Sequence, residues 1–311
     1  MRIMLWHVHG SWTTAFVQGS HQYLVPRLPG KGPDGLGRAD TWDWPPSVTE
    51  ISPQQAAAEH VDLILLQRER ELDGLAQQWL GGRRPGVDLP AVYVEHNAPE
   101  GPVNAMRHPA ADRPGIHVVH VTHFNKLFWD TGSSPATVIE HGVVDPGPLY
   151  TGERQRAVAA INDAPSRGRV TGTDLLVDMM AKVPTDLFGM RSEQLGGRDV
   201  PQSRLHAEMA RRRTYFHPVR WTSLGLSLIE AMTIGMPVVA VGTTEVHEAV
   251  PPQAGVVSTR PDVLESALWA YLNDADQAVE VGKAARTVAL GRFGLGRFLD
   301  DWDDLFKRVT G

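Results

Sequence analysis

The chain contains no cysteine, only five lysines and no long apolar run. The absence of cysteine excludes disulfides and thiol chemistry, and it agrees with a cytoplasmic location. No apolar run approaches the ~18 residues of a membrane-spanning helix, so we expect no transmembrane segment. The net charge of −6 gives no reason to expect nucleic acid as a partner. Most cationic residues are arginine, which suits bidentate phosphate recognition, although coding bias also explains the ratio.

A glycine-rich nucleotide-binding loop is also missing from the N-terminus. The first strand pattern, Ile3 to His9, leads into HVHGSW, where a dinucleotide-binding protein has G-x-G-x-x-G. This difference disfavours a Rossmann-type oxidoreductase. The apolar run is short and is interrupted by His7 and His9, which indicates a strand and not a signal peptide.

Length and the alternation of patterns predict the fold class. A chain of 311 residues exceeds the size at which one core usually divides, so we expect two domains. Strand and helix patterns alternate in both halves, which predicts an α/β protein with two Rossmann-like parallel sheets facing a cleft. The sequence VDPGPLYTGER at residues 144–154 is typical of an interdomain linker.

Two segments differ from this alternation. Residues 10–50 are rich in Gly, Pro, Trp and Asp and show no clear period, so we expect long loops with one short helix around residues 14–25. Within them, Trp12, Trp42 and Trp44 are either packing residues or an exposed platform for an acceptor. The last helix pattern, residues 297–308, has apolar residues on one face at Phe298, Trp302, Leu305 and Phe306.

The most informative stretch is residues 217–249, HPVRWTSLGLSLIEAMTIGMPVVAVGTTEVHEA. It predicts a strand ending at His217, a polar turn, a helix from Leu224 to Ile234 and a buried strand from Val238, which together form a β-α-β unit. Such a turn directs main-chain N–H groups and a helix dipole at one point, which suits a phosphate. Glu230 lies about two turns into the helix, within reach of a ribose diol. The alternative is an ordinary helix with one solvated glutamate.

This stretch resembles a known donor-site motif. The matching residues are Pro218, Val219, Arg220, Trp221, Thr222, Ser223, Leu224, Gly225, Leu226, Glu230, Ala231, Met232, Gly235, Pro237, Val238 and Val239. They are similar to Pro-Ser-x-x-Glu-Gly-Phe-Gly-Leu, three residues, then Glu-Ala-Met-Ala-x-Gly-x-Pro-Val-Val. That motif is typical of retaining nucleotide-sugar glycosyltransferases of the GT-B fold, especially glycosyltransferase family four. The first glutamate of the family's E-x7-E pair is Thr222 here.

The resemblance implies roles for individual residues. Glu230 contacts the ribose, Thr222 occupies the position of a glutamate near the sugar and phosphates, and His96 contacts the donor sugar. These three are the candidate catalytic residues. The candidate donor-binding residues are Gly10, Arg167, Arg169, Thr171, Ser223, Leu224, Gly225, Leu226 and Glu230.

The family's phosphate clamp is altered in this chain. The family has Gly-Arg, a few residues, then Lys-Gly-x-Asp, and Gly172 and Asp174 match the glycine and the aspartate. Thr171 stands where the family has lysine. A departing diphosphate needs roughly two charges neutralised, so Arg167 and Arg169 are expected to supply the positive charge. The alternative is a solvated basic turn.

The resemblance also implies an architecture and a reaction. We expect an N-terminal acceptor-binding domain over residues 1–145, a nucleotide-sugar-binding domain over 146–292, and a helix over 293–311 that crosses back to the first domain. The enzyme would move a sugar from a nucleotide diphosphate-sugar donor to an acceptor with retention of configuration. The acceptor, whether small molecule, glycan or lipid, is left open. No cofactor and no metal are expected.

Two rival functions and two rival sites remain open. The loss of Glu at Thr222 and of Lys at Thr171 favours a non-catalytic nucleotide-sugar binder, and a GT-B sugar epimerase is a second alternative. His117, His120 and His123 resemble a metal cluster, but a spacing of three on a strand places neighbours on opposite faces. The aspartates of the last helix pattern, residues 300–304, are expected to form a solvated face.

Overall fold

The computed structural model describes residues 1–311, and the chain forms two compact units. Unit 1 comprises Met1–Gly142 and Leu295–Gly311, and unit 2 comprises Val143–Gly294. The predicted boundaries at residues 145 and 292 therefore lie within three residues of those in the structure. Each unit contains one parallel sheet with helices, so the predicted α/β class is confirmed.

The sheet of unit 1 has seven parallel strands in the order β3-β2-β1-β4-β5-β6-β7. Its strands are β1 (Arg2–Leu5), β2 (Gln22–Pro26), β3 (Val48–Ile51), β4 (Leu63–Leu66), β5 (Ala91–Glu95), β6 (Ile116–His120) and β7 (Ala136–Val138). Every residue of β4 and β5 is buried, as expected for central strands of a parallel sheet covered on both faces.

Short helices connect these strands. They are α1 (Gly10–Phe16), α2 (Pro53–Ala58), α3 (Ala76–Trp79) and α4 (His123–Phe128). The segment Glu71–Leu75, which leads into α3, is kinked at Asp73 and Gly74, where the backbone is not helical, and a 3-10 turn covers Val103–Ala105. Helix α2 begins with a capping box in which Ser52 and Gln55 bond each other's backbone N–H, so this start is fixed locally.

The prediction for residues 10–50 is wrong. The helix begins at Gly10 and ends at Phe16, and the segment supplies both β2 and β3. These strands have five and four residues, too few to show a period among the surrounding glycines and prolines. Pairing with neighbouring strands determines them: β2 pairs with β1, where Tyr23 aligns with Ile3, and β3 pairs with β2, where Val48 aligns with Tyr23.

The sheet of unit 2 has five parallel strands in the order β12-β11-β10-β8-β9. The strands are β8 (Arg154–Ala160), β9 (Thr185–Phe188), β10 (Arg212–His217), β11 (Val238–Val241) and β12 (Gly255–Ser258). The chain runs from β8 outward to β9 and then returns to the other side of β8 as β10. A crevice at the carboxyl ends of β8 and β10 is therefore the topological switch point, where open α/β sheets bind ligands.

Helices flank this second sheet. They are α5 (Ala164–Arg167), α6 (Thr173–Met180), α7 (Gln202–Ala210), α8 (Leu226–Thr233), α9 (Val246–Ala249), α10 (Pro261–Asn273) and α11 (Ala275–Phe293), with a 3-10 turn at Glu193–Leu195. The loop after β8 leads to α6, and the loop after β10 leads to α8. Both loops begin at the carboxyl ends of these two adjacent strands, and therefore beside the switch point.

The last helix, α12 (Leu295–Thr310), belongs to unit 1. Its buried face consists of the four predicted residues, Phe298, Trp302, Leu305 and Phe306. Trp12 of α1 packs edge-on against Trp302 with ring centroids 5.9 Å apart. Trp12 and Trp44 are 0% and 5% exposed, so the interpretation of these two as an exposed acceptor platform is wrong.

Candidate functional site

The loop between β10 and α8 contains three main-chain amides without acceptors. Strand β10 ends at His217, Gly225 is the N-cap of α8, and the helix begins at Leu226, two residues later than predicted. The N–H groups of Leu224, Gly225 and Leu226 donate to no group in the chain. These groups lie at the positive end of a helix dipole, so the loop has the chemistry of an anion site.

The side chain of His217 lies beneath this loop. The residue is 1% exposed, and its ring packs against Gly225. Burial lowers the pKa of His217 to about 4, so the imidazole is neutral near pH 7. His217 was not among the candidate site residues, although a polar residue that ends a buried strand just before this loop indicates such a role.

The loop after β8 turns its threonine inward. Thr171 is 1% exposed, and its hydroxyl lies 3.3 Å from the carbonyl oxygen of Gly168 and 3.1 Å from the hydroxyl of Thr173. The hydroxyl of Thr173 in turn donates to Ala164 O at 2.5 Å. Thr171 therefore stabilises the conformation of the loop. The positive charge of this loop comes from arginine side chains.

The loops after β8 and β10 are hydrogen-bonded to each other. The N–H groups of Arg220 and Trp221 both donate to the carbonyl oxygen of Val170, at 3.0 and 3.1 Å. Gly172 has a positive φ of 69°, and a Cβ at this position would collide with the carbonyl oxygen of Pro218. Glycine is thus required by both backbone conformation and close approach.

Three arginines occur on these two loops, with different partners. Arg169 donates to Asp174 at 2.7 Å, while Arg167, at the end of α5, is exposed and pairs with no carboxylate. Arg220 donates to both oxygens of Asp174. The guanidinium of Arg220 holds the pKa of Asp174 below its usual range. Arg220 was quoted in the sequence motif but given no role.

Glu230 lies in α8, five residues after the N-cap. Its carboxylate is largely buried, and Oε2 lies 3.4 Å from Nε2 of His206 in α7. His206 was missed by the sequence analysis, because nothing in a helix pattern predicts contact with a residue 24 positions away. The two side chains lie close together without a hydrogen bond between them, and Glu230 occupies the middle of α8.

In unit 1 the structure brings His96 and the segment containing Gly10 together. His96 follows β5, is 7% exposed, and packs against His9 with ring centroids 4.2 Å apart and the ring planes tilted by 47°. Burial, with smaller contributions from His9 and His141, lowers the pKa of His96 well below its usual range, so the ring is neutral. Gly10 begins α1 directly after His9.

The buried side-chain amide of Gln67 determines which ring nitrogen of His96 carries the proton. The side-chain nitrogen of Gln67 donates to the carbonyl oxygen of Trp6 at 2.7 Å, so the amide oxygen faces Nε2 of His96 at 3.1 Å. An oxygen can only accept, so Nε2 of His96 carries the proton. The lone pair is then on Nδ1.

The other predicted candidates have ordinary structural surroundings. His117 lies 3.0 Å from the hydroxyl of Thr137, and His120 is fully buried beside His108 at 6.0 Å between rings. No group of three or more His, Asp or Glu side chains in residues 1–311 is arranged to hold a metal ion. None of the helices combines the length and the apolar character that crossing a membrane requires.

Part of unit 2 matches a protein family. Residues 195–288 match the family model described as glycosyl transferases group 1. The matched range includes the loop after β10, helix α8 and Glu230, so the resemblance inferred from residues 217–249 is confirmed. No curated protein sequence matches the chain.

Solved structures resemble the whole chain. Sucrose-phosphate synthase from Thermosynechococcus elongatus has a TM-score of 0.73 at 14% identity, covering 99% of this chain and 98% of that one. HepE from Anabaena, in complex with UDP, has a TM-score of 0.70 at 16% identity, covering 99% of both chains. A glycosyltransferase from Rickettsia africae has a TM-score of 0.73 at 14% identity, covering 99% of this chain and 98% of that one. These likenesses confirm the predicted GT-B fold, and with the family match they support a glycosyltransferase.

Proposed function

We propose that this chain is a GT-B glycosyltransferase that moves a sugar from a nucleotide diphosphate-sugar to an acceptor, with retention of configuration and without a bound metal. One observation carries the proposal. The amides of Leu224, Gly225 and Leu226, two arginine-bearing loops and the Glu230 carboxylate all occur around one switch point of unit 2. N–H groups that donate hydrogen bonds to phosphate, together with a carboxylate that accepts hydrogen bonds from a ribose diol, suit a nucleoside diphosphate at such a place.

The proposed chemistry is stabilisation of a departing diphosphate. The amides at the start of α8 and the arginines of the two loops accept the negative charge that develops on the leaving oxygen. Glu230 binds the ribose hydroxyls. His96, neutral because it is buried, contacts the sugar as the resemblance implies.

Retention follows from what the leaving group can do. None of the candidate residues is placed as a nucleophile, so we assign the acceptor's proton to an oxygen of the departing phosphate. The new glycosidic bond then forms on the face from which the diphosphate leaves. The arginines replace the divalent cation that would otherwise neutralise the diphosphate. A cytoplasmic location, where nucleotide sugars are made, fits this chemistry.

Uracil is the first base to test, because HepE is described in complexes with UDP and with UDP-glucose. Thermal unfolding should be measured with UDP, GDP, ADP and dTDP, since a bound ligand raises the unfolding midpoint by mass action. The preferred base is then tested for sugar transfer and donor hydrolysis, with and without EDTA. The anomeric configuration of the product is read by NMR.

The outcomes separate the rivals. Transfer with retention in EDTA supports the proposal, and inversion or loss of activity in EDTA contradicts it. Nucleotide binding without transfer or hydrolysis points to a non-catalytic binder, which the threonine at position 222 favours. A 2-epimerised sugar formed without an acceptor points to an epimerase.

A further inference from the structure

Arg220 is held rigidly at the switch point. Its backbone N–H donates to Val170 O at 3.0 Å, and its guanidinium donates to both carboxylate oxygens of Asp174 and to the carbonyl oxygen of Arg169. Its side chain is 29% exposed, less than half the exposure of Arg169 at 78%. An arginine fixed in this way loses little conformational entropy when it binds a further anion.

The charges around Arg220 do not cancel. Asp174 accepts from two arginines, Arg169 at 2.7 Å and Arg220 through both nitrogens of its fork. One carboxylate between two guanidiniums leaves one positive charge in excess. The neighbouring carboxylate, Asp163, is already paired with Arg191 at 3.0 Å. The two loops therefore carry net positive charge, and the loop of Arg220 also contains the amides of Leu224, Gly225 and Leu226 that have no acceptor.

We propose that Arg220, positioned by Asp174, binds the donor diphosphate and replaces the lysine that this chain lacks at Thr171. The inference rests on the proposed function. It assigns the neutralisation of one of the two diphosphate charges to Arg220, which lies outside the family's phosphate clamp. Arg220 belongs to the same connection as Leu224, Gly225 and Leu226, so one loop provides both the amides and the cation. Its Nε–H group donates to no other group in the chain and remains available to a phosphate oxygen.

Asp174 acts as a positioning residue in this arrangement. Its carboxylate orients the guanidinium and leaves one edge of the fork for the ligand. A lysine at position 220 keeps the charge but cannot bond both Asp174 oxygens and a phosphate in one plane. The effect of the positive charge at residue 220 can therefore be separated from the effect of the guanidinium geometry by comparing Arg220→Lys with Arg220→Gln.

The experiment compares ligands that contain the nucleoside, the diphosphate or both. Titration calorimetry measures the dissociation constants of the preferred nucleoside diphosphate, of the same nucleoside and of inorganic pyrophosphate. The variants are Arg220→Gln, Arg220→Lys and Asp174→Asn. The matched control is Arg260→Gln, because Arg260 forms a similar exposed pair with Asp262 at the start of α10.

We expect Arg220→Gln to weaken the diphosphate and pyrophosphate at least tenfold while nucleoside affinity stays unchanged. Arg220→Lys and Asp174→Asn should weaken the diphosphate by roughly three- to tenfold, and Arg260→Gln should have no effect. The salt dependence of diphosphate affinity should become shallower in Arg220→Gln, because one phosphate contact is lost.

Three results would overturn the inference. They are an unchanged diphosphate affinity in Arg220→Gln, an equal loss for nucleoside and diphosphate, and an equal loss in Arg260→Gln. If no nucleoside diphosphate binds the wild type but pyrophosphate binds in an Arg220-dependent manner, the anion site stands and the proposed function fails. If neither binds, both are wrong.

Discussion

The imidazole of His217 packs directly against the α-carbon of Gly225. A Cβ at residue 225 would lie 2.5 Å from Cε1 and 3.0 Å from Nε2 of the ring. The φ of Gly225 is −70°, so glycine is needed here for close approach and not for an unusual backbone conformation. A buried ring thereby sets the position of the N-cap of α8.

This contact predicts the behaviour of Gly225→Ala. The added methyl group must displace either the ring or the loop, and overpacking of this kind typically costs about 1–3 kcal/mol. We expect a lower unfolding midpoint and at least tenfold weaker nucleoside diphosphate binding, measured by thermal unfolding and calorimetry.

The double variant His217→Ala, Gly225→Ala tests the cause. Removing the ring makes room for the methyl group, so the double variant should bind the diphosphate better than Gly225→Ala alone. Additive losses in the two single variants would show that the ring and the glycine act independently.

A second prediction concerns Glu230 and the ribose. Glu230→Ala should weaken a nucleoside diphosphate at least tenfold, because a charged acceptor for two hydroxyls is removed. The 2′,3′-dideoxy analogue has no such hydroxyls, so its affinity should be the same in variant and wild type. Glu265→Ala, on the surface of α10 beside Lys182, is the matched control. Equal weakening of both nucleotides would remove Glu230 from the ribose.

A third prediction concerns the proton on His96. The Gln67 amide requires the Nε2–H form, and the lowered pKa keeps the ring neutral at pH 7. The ¹⁵N chemical shifts of His96, assigned by difference with His96→Asn, should therefore show protonated Nε2. In Gln67→Leu the tautomers should mix, and kcat should fall about tenfold if the Nδ1 lone pair contacts the sugar.

The exposed Gln77→Leu on α3 serves as the control for the third prediction and should leave both the shifts and kcat unchanged. A wild-type spectrum with protonated Nδ1 would contradict the orientation of the Gln67 amide, whose oxygen faces Nε2 of His96. A change in tautomer without any change in kcat would separate the geometry of His96 from catalysis.

The sequence predicted unit 2 better than unit 1 for a physical reason. Strand β10 ends at His217 and strand β11 begins at Val238, as predicted, because apolar runs and glycine or proline boundaries are local information. Strands β2 and β3 were missed because pairing, of β2 with β1 and of β3 with β2, determines them and not their own pattern.

The same distinction applies to the site. The loop of residues 217–226 and Glu230 follow from a contiguous motif. The residues that contact them come from distant positions: His206 lies beside Glu230, Asp174 pairs with Arg220, and the Gln67 amide faces His96. A single sequence contains no signal for such pairs, so the roles of Arg220, His206 and Gln67 required the fold.

The fourth prediction is loss of stability in mild acid, caused by buried histidines. Burial lowers the pKa of His120 and of His141 to about 3 and that of His217 to about 4. The unfolded chain titrates at about 6.5, so below that pH it binds more protons than the folded chain. The free energy of unfolding is therefore undiminished above pH 6.5 and falls as the pH drops toward 4, by roughly 1.4 kcal/mol per pH unit for each histidine.

Urea unfolding at pH 7, 6 and 5 measures this slope, and His120→Leu tests its origin. His120 is 0% exposed and its ring nitrogens have no hydrogen-bond partner, so leucine removes a group that only opposes folding when protonated. In His120→Leu we expect the slope of the unfolding free energy against pH to decrease by the equivalent of about one bound proton. The slope should stay unchanged in the control His60→Leu, because His60 is exposed. The carboxylates with lowered pKa act below about pH 4, outside this window. A slope that His120→Leu leaves intact would mean that this ring is not buried as a neutral group.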